Sequence, residues 1–591
     1  MAVTEADRQA EGIRWDLSGL AADPAAARAR AAAAVASSAA FEERWRPRFD
    51  SLDAPALAEL LVELDDIRSS REEATAYGFL FGSTDAGSSE AQDIDAYLEE
   101  RGIAIGNAVR FFELAWLALA EERAAQLAAA PEVAADRYYL TALRRFVPYS
   151  LSEPEERVLA EREASGLKAW QAFHNRHVST LSIDFDAGNG PEPHPIGRLD
   201  GYSGDPDRDL RLRAGAAARQ LVEPELDVLA QCYDAIVADR LIMDRLQGLP
   251  GPMSRTHLDN QLEPATVDAM LDAVEQSYPV LRRWLRKKAT LLGVDKLDFN
   301  DVQAPVGSPA PTGWREAEEV CLASFRRLSP KLEAICAAFF ADGRVDAEPR
   351  AGKRGGAFCW QPSPRTPGYL LLNFGGTLRD VVTLAHELGH GVHFDLAGAQ
   401  TVHSWESGLA MAEIPSTFGE LLLADELAAV ADEETTRALA VQQLNNVVGS
   451  VHVQTIFTRY EQRAYGLRAE GSILTPDRLA GIMREEFDKA FGDDLAYQNA
   501  NPDWFWGRIP HFIDTRFYTH AYVFAFLVAL IVHRRMQELP DFAERYLAFL
   551  GAGGCAAPAD LLAGLEIDLA DPGIWQVGLD EIERRVDEVS V

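Results

Sequence analysis

The chain reads as a mainly α-helical globular protein, and three observations lead there. Between residues 24 and 130, stretches rich in Ala, Leu, Glu and Arg repeat with a helical period, as in AAARARAAAAVASSAAFEERW and PALAELLVELDDIRSSREEATAYGFLF. A small strand region is expected around 355–374, where GGAFCW and GYLLLNF alternate with the turn residues PSPRTPG. The third observation is the apolar run VVTLAHELGHGVHF, which sets H-E-x-x-H on a helix.

From the N-terminus, MAVTEADRQAEGIRWDLSGL has acidic residues and no apolar centre, so no secretory signal is expected. Long packed helices fill 24–130. Connectors rich in Gly and Pro at 187–205 and 302–313 are candidate boundaries or hinges, and the first predicts an N-terminal helical domain over 1–205 and a catalytic domain over 206–591. The segment GKRGG at 352–356 lacks the spacing of a phosphate loop. FYTHAYVFAFLVALIV, near the C-terminus, is too short for a bilayer and holds a histidine, so a buried helix is expected. There is no internal repeat and no low-complexity tail.

Composition narrows the function. The 591 residues are 47% hydrophobic and 25% charged, as in a soluble globular protein. A net charge of -35 argues against nucleic acid and anionic membranes as partners, because both repel an acidic surface. Five scattered cysteines, an odd number, suit a reducing compartment, and the expected location is the cytoplasm. Oligomeric state is not encoded in any of these features.

The chemistry is carried by His386-Glu387-Leu388-Gly389-His390. Histidines four apart on a helix share a face, so both imidazoles reach one metal ion while Glu387 is aimed at an attacking water. Val381, Val382, Leu384 and Ala385 bury one side of this helix, and two histidines and a glutamate are costly to bury without a partner. Catalytic zinc takes three protein ligands and keeps one position open. A metzincin is excluded, since His393 stands where its glycine belongs and Leu396 where its third histidine belongs. Leu409 occupies the position at which one large aminopeptidase class carries its glutamate. The residues themselves leave Glu406, Glu413 and Glu420 open as the third ligand, the last two in a helical pattern. His393, one turn beyond the site, suits packing or support of a ligand better than ligation, and His403, His452 and His533 receive no role.

HELGHGVH followed by AEIPSTFGE, preceded by GKRGGAF and GYLLLNFGGTLRD, resembles the oligoendopeptidase F branch of the thimet-oligopeptidase family of zinc peptidases, as does the opening IRWDLSGLAAD. The resemblance implies a zincin-type elongated helical fold with a deep substrate channel, a small β-sheet beside the site, and one Zn2+ per chain. It implies that Glu413 is the third ligand, with Glu420 orienting a ligating imidazole and Glu387 as general base. It implies an endopeptidase acting on short unfolded peptides, whose backbone pairs with an edge strand. It also implies transition-state donors in RIPHFIDTRFYTHAYVFAF, namely His511 and Tyr522, with Tyr518 and His520 as further candidates. Relatives read Tyr-x-Tyr-x-Tyr there, so His520 replaces the middle tyrosine. A zinc carboxypeptidase of related helical fold and a non-catalytic peptide binder are the alternatives.

Overall fold

The computed structural model describes residues 3–307, 309–497 and 502–590. The helices that build and support the site are, in chain order, α1 (Pro24–Trp45), α2 (Ala54–Thr84), α3 (Ser89–Val109), α4 (Leu167–Thr180), α5 (Leu226–Gln247), α6 (Leu378–Ala397), α7 (Leu409–Val430), α8 (Gln454–Ala469), α9 (Pro510–Asp514), α10 (Thr519–Glu538) and α11 (Phe542–Ala552). The strands are β1 (Ser182–Asp186), β2 (Pro191–Pro195), β3 (Leu297–Asp298), β4 (Val345–Asp346), β5 (Phe358–Trp360), β6 (Tyr369–Leu371) and β7 (Leu495–Ala496). The helix-rich expectation for 24–130 holds, and local chemistry explains the starts. Asp23, Asp53 and Ser88 each accept a backbone N–H from the first turn of α1, α2 and α3, and Pro24 and Pro55 sit where no helical N–H is needed.

The chain forms two compact units. The first is residues 1–150, 310–430 and 532–568; the second is 151–309, 431–531 and 569–591. Compactness therefore does not follow a single cut at residue 205. The N-terminal helices share a core with residues far along the chain: Trp15, Leu20, Tyr77, Leu80 and Ile94 pack with Tyr369 and Leu371 of β6. The connector 302–313 does contain a unit boundary, between residues 309 and 310. Within it, Ser308 lies outside the described residues.

The other connector, 187–205, is not the irregular loop its composition predicts. β1 and β2 pair antiparallel from Ser182↔Pro195 to Asp186↔Pro191, and a short helix follows at Ile196–Gly201. Pro191, Pro193 and Pro195 alternate, so only Glu192 and His194 of β2 have N–H groups near the ladder, an arrangement a strand at an edge tolerates. The Asp186 carboxylate closes the turn by accepting the N–H of Gly188 (2.8 Å) and Gly190 (2.9 Å).

In the first unit, the strands expected at 355–374 form a sheet of order β4-β6-β5, with β6 parallel to β4 and antiparallel to β5. β5 is thus an edge strand. The GKRGG segment anchors the approach to it: the buried Lys353 ammonium donates to the carbonyls of Leu372 (2.7 Å), Glu348 (3.0 Å) and Asp346 (3.1 Å) and pairs with the Asp346 carboxylate at 2.7 Å. The apolar stretch 517–532 is largely the buried helix α10, and among the described residues no single helix is long and apolar enough to cross a membrane. All five cysteines are free thiols.

Candidate active site

α6 begins with a capping box in which Thr377 and Asp380 bond each other's backbone N–H. One turn and a half later it presents His386 and His390 on one face, ring centroids 5.1 Å apart. α7 supplies the third donor. The ligand atoms of His386, His390 and Glu413 all lie within 4.8 Å of one another, and Glu413 Oε2 is 3.4 Å from Nε2 of each histidine. Glu420, two turns along α7, stands 2.7 Å from His386 Nδ1. That bond keeps the proton on Nδ1 and leaves Nε2 free to bind a metal. Of the three glutamates left open by the sequence, Glu413 joins the cluster, Glu420 supports it, and Glu406 stands outside it.

Two features of this geometry escape a motif reading. Ser416, one turn after Glu413, donates its hydroxyl to Glu413 Oε2 at 3.0 Å and so fixes the carboxylate. The helices also touch through glycines. A Cβ on Gly389 would lie 2.4 Å from the Pro415 carbonyl oxygen and 2.7 Å from Ser416 Cα, and one on Gly419 would lie 2.7 Å from the Ala385 carbonyl oxygen. Larger residues would push α7 away and draw Glu413 and Glu420 off His386.

The electrostatics favour a cation. Burial opposes protonation of His386, yet hydrogen bonds to Glu413 and Glu420 raise its pKa well above the usual value. Burial works against the Glu413 charge, but the two imidazoles pull its pKa well down. Protons held between these donors stand where a divalent ion would bind all three. Two imidazoles and one carboxylate, with a carboxylate behind one imidazole, fit zinc chemistry. Glu387 is 5% exposed and its pKa is raised by burial, with the imidazoles opposing. The backbone of Cys359 favours its charged form, so edge strand β5 lies against Glu387. His393, also 5% exposed, lies parallel to Phe394 and outside the donor cluster.

The C-terminal candidates separate into two groups, all within the second unit. His511 on α9 lies with its Nε2 3.3 Å from the Tyr522 hydroxyl, and its ring centroid is 5.1 Å from that of Tyr518, which is itself 5.1 Å from Tyr522. All three are partly exposed, and burial lowers the His511 pKa. His520 does not join them. Its side chain has no exposed surface, its Nδ1 donates to the Phe517 carbonyl at 2.5 Å, and its Nε2 is buried without a hydrogen-bond partner among the described residues. The reason is helical phase: residues 518 and 522 share a face and 520 points to the other side. A substrate cannot touch His520 in this conformation, which removes it from the candidates for transition-state contact. His403, His452 and His533 lie outside both groups; His533, for example, pairs with Asp425 at 2.9 Å.

Residues 333–580 match the sequence profile of Peptidase family M3, and residues 116–182 that of Oligopeptidase F. The chromosomal oligoendopeptidase F of Lactococcus lactis subsp. cremoris is 27% identical over 340 residues, 56% of this chain and 55% of that protein. Oligopeptidase PepF of Bacillus subtilis (strain 168) is 24% identical over 451 residues, 75% of this chain and 67% of its own. The chain thus spans about half the length of the Lactococcus relatives it matches. In fold it is similar to the crystal structure of oligoendopeptidase-F from Enterococcus faecium, with a TM-score of 0.72 at 20% identity over 94% of this chain and 96% of that one. Two ordered profile matches, the relatives and the shared fold converge, and the chain belongs to peptidase family M3, in its oligoendopeptidase F branch.

Proposed function

We propose that the protein is a zinc-dependent endopeptidase that hydrolyses internal bonds of short, unfolded peptides. The observation that carries this is the His386, His390 and Glu413 donor cluster with the buried Glu387 beside it. Bound there, zinc supplies a Lewis acid that acidifies a water and polarises the scissile carbonyl. Glu387 takes the proton of the attacking water and later delivers it to the leaving amine, a task suited to a carboxyl whose pKa burial has raised. Glu420 holds the His386 tautomer and Ser416 the Glu413 rotamer. His511 and Tyr522, with Tyr518 beside them, serve as donors to the tetrahedral oxyanion.

β5 gives a reason for broad sequence tolerance. Its outer edge can pair with an extended peptide through main-chain groups, which every peptide has. The five free thiols support a reducing, cytoplasmic setting.

The test is hydrolysis of an internally quenched peptide with both ends blocked, by wild type, Glu387→Gln and chelator-treated protein, with zinc measured in each. Cleavage by wild type alone, with zinc retained in the variant, is the expected result. Bound zinc without cleavage of blocked peptides favours the carboxypeptidase or the binder, and a protein that takes up no zinc overturns the reading at its base.

A further inference from the structure

His520 and a buried glutamate solve the same backbone problem. Phe517, the residue before Tyr518, has φ +51° and is fully buried. The left-handed region is unfavourable for a bulky aromatic residue, so the surroundings must enforce it. Both flanking peptide groups are in fact held. The Phe517 N–H donates to Glu461 Oε2 on α8 at 3.0 Å, and the Phe517 carbonyl accepts His520 Nδ1–H at 2.5 Å. Thr458, one turn earlier on α8, shares a hydrogen bond of 2.8 Å with Thr519, and the Tyr465 ring packs on the Phe517 ring at 4.9 Å. Thr458, Glu461 and Tyr465 form one stripe of α8, and the stripe grips residues 517–519.

The same scaffold reaches His511. Arg240 on α5 donates to the Tyr465 hydroxyl (3.0 Å) and to the carbonyls of Phe512 (3.0 Å) and Ile513 (2.6 Å) on α9, and Gln171 on α4 donates to the Ile513 carbonyl at 2.8 Å. Nothing in packing alone calls for a carboxyl at 461. The side chain is fully buried, its Oε1 has no hydrogen-bond partner among the described residues, and burial raises its pKa to about 8, where a leucine would cost nothing in desolvation.

We infer that Glu461 and His520 are positioning residues that lock the left-handed peptide at Phe517 and thereby aim Tyr518 and Tyr522 beside His511. This rests on the reading of His511 and Tyr522 as transition-state donors. It gives the histidine in place of the middle tyrosine a role in the backbone and none in substrate contact.

The experiment uses the full zinc-loaded chain and the blocked quenched peptide, comparing Glu461→Leu, Glu461→Gln, His520→Gln, His520→Asn, Tyr522→Phe and His511→Ala, with zinc content and thermal melting recorded for each. Glu461→Leu and His520→Gln are expected to lower kcat at least about tenfold, with KM and zinc content within about twofold of wild type. Glu461→Gln keeps an acceptor for the Phe517 N–H, and His520→Asn keeps a donor near the Nδ1 position, so both are expected to stay within about threefold of wild-type kcat. Wild-type kcat in Glu461→Leu and His520→Gln, alongside an impaired Tyr522→Phe, overturns the inference while leaving the donor reading intact. An equal loss in Glu461→Gln and Glu461→Leu also overturns it, as does a loss confined to KM or zinc. Unimpaired Tyr522→Phe and His511→Ala would instead sink the donor reading beneath it. If Glu461→Leu fails to fold, the His520→Gln and His520→Asn pair decides alone.

Discussion

The donor cluster on α6 and α7 and the His511, Tyr518 and Tyr522 cluster are built on opposite plans. In the first, carboxylates face imidazoles: Glu413 lies against both and Glu420 against the back of one. In the second, the aim of the side chains depends on a strained backbone residue held by buried groups that are incompletely paired, among them His520 Nε2 and Glu461 Oε1. One region is arranged as a donor set that could hold a metal ion; the other is stabilised by exclusion of water.

The largest effect should come from the base. Glu387→Gln is expected to cost roughly a thousandfold in kcat, read on the quenched peptide, while bound zinc stays at the wild-type level. Loss of zinc in that variant would mean that Glu387 belongs to the donor set. Next, Tyr522→Phe should cost on the order of a hundredfold in kcat with zinc unaffected; a change in zinc content there would break the contrast between the regions. Glu420→Ala should weaken zinc binding by about 10- to 100-fold, measured by competition with a chelator, while kcat at saturating zinc changes less.

How much of the molecule was legible in its sequence depends on what holds each part in place. Four-residue spacing on a helix made His386, Glu387 and His390 readable, and alternation around a turn made β5 and β6 readable. Glu413 was not separable from Glu406 and Glu420 by pattern alone, because the choice depends on how closely α6 and α7 approach, which Gly389 and Gly419 set. The regular Tyr-x-His-x-Tyr spacing hid the helical phase that buries His520, and Glu461 has no local signal, since its partner lies 56 residues away. The hairpin at 182–195 was hidden by prolines that read as a loop.

A smaller effect concerns buried histidines, of which His520 alone belongs to the second region. Burial lowers the pKa of His403 to about 3 and of His452 and His520 to about 4, from an ordinary 6.5. Below pH 6.5 the unfolded chain binds protons that the folded one refuses, so stability falls as the pH drops from 6.5 toward 4, by on the order of 3 kcal/mol for each group at most. Glu461, raised from 4.5 to about 8, acts with opposite sign: its contribution is intact below pH 4.5 and is lost as the pH rises toward 8. Together these three histidines outweigh Glu461, so they should draw the melting temperature down from pH 6.5 to 5, and His452→Phe should flatten the slope. A melting temperature that does not change over that range would mean that these histidines take up protons in the folded chain.

The discontinuity of the compact units bears on biosynthesis. α6 packs against α11, and the segment after α6 is tied to the end of α11 by the Gln400 amide on the Gly551 carbonyl (2.8 Å) and the Gly554 N–H on the Ser404 carbonyl (2.9 Å). A ribosome therefore releases α6 long before it makes the helix that packs against it. A product truncated ahead of α11 would carry the H-E-x-x-H motif and Glu413 without those contacts on α6 and on the segment that follows it.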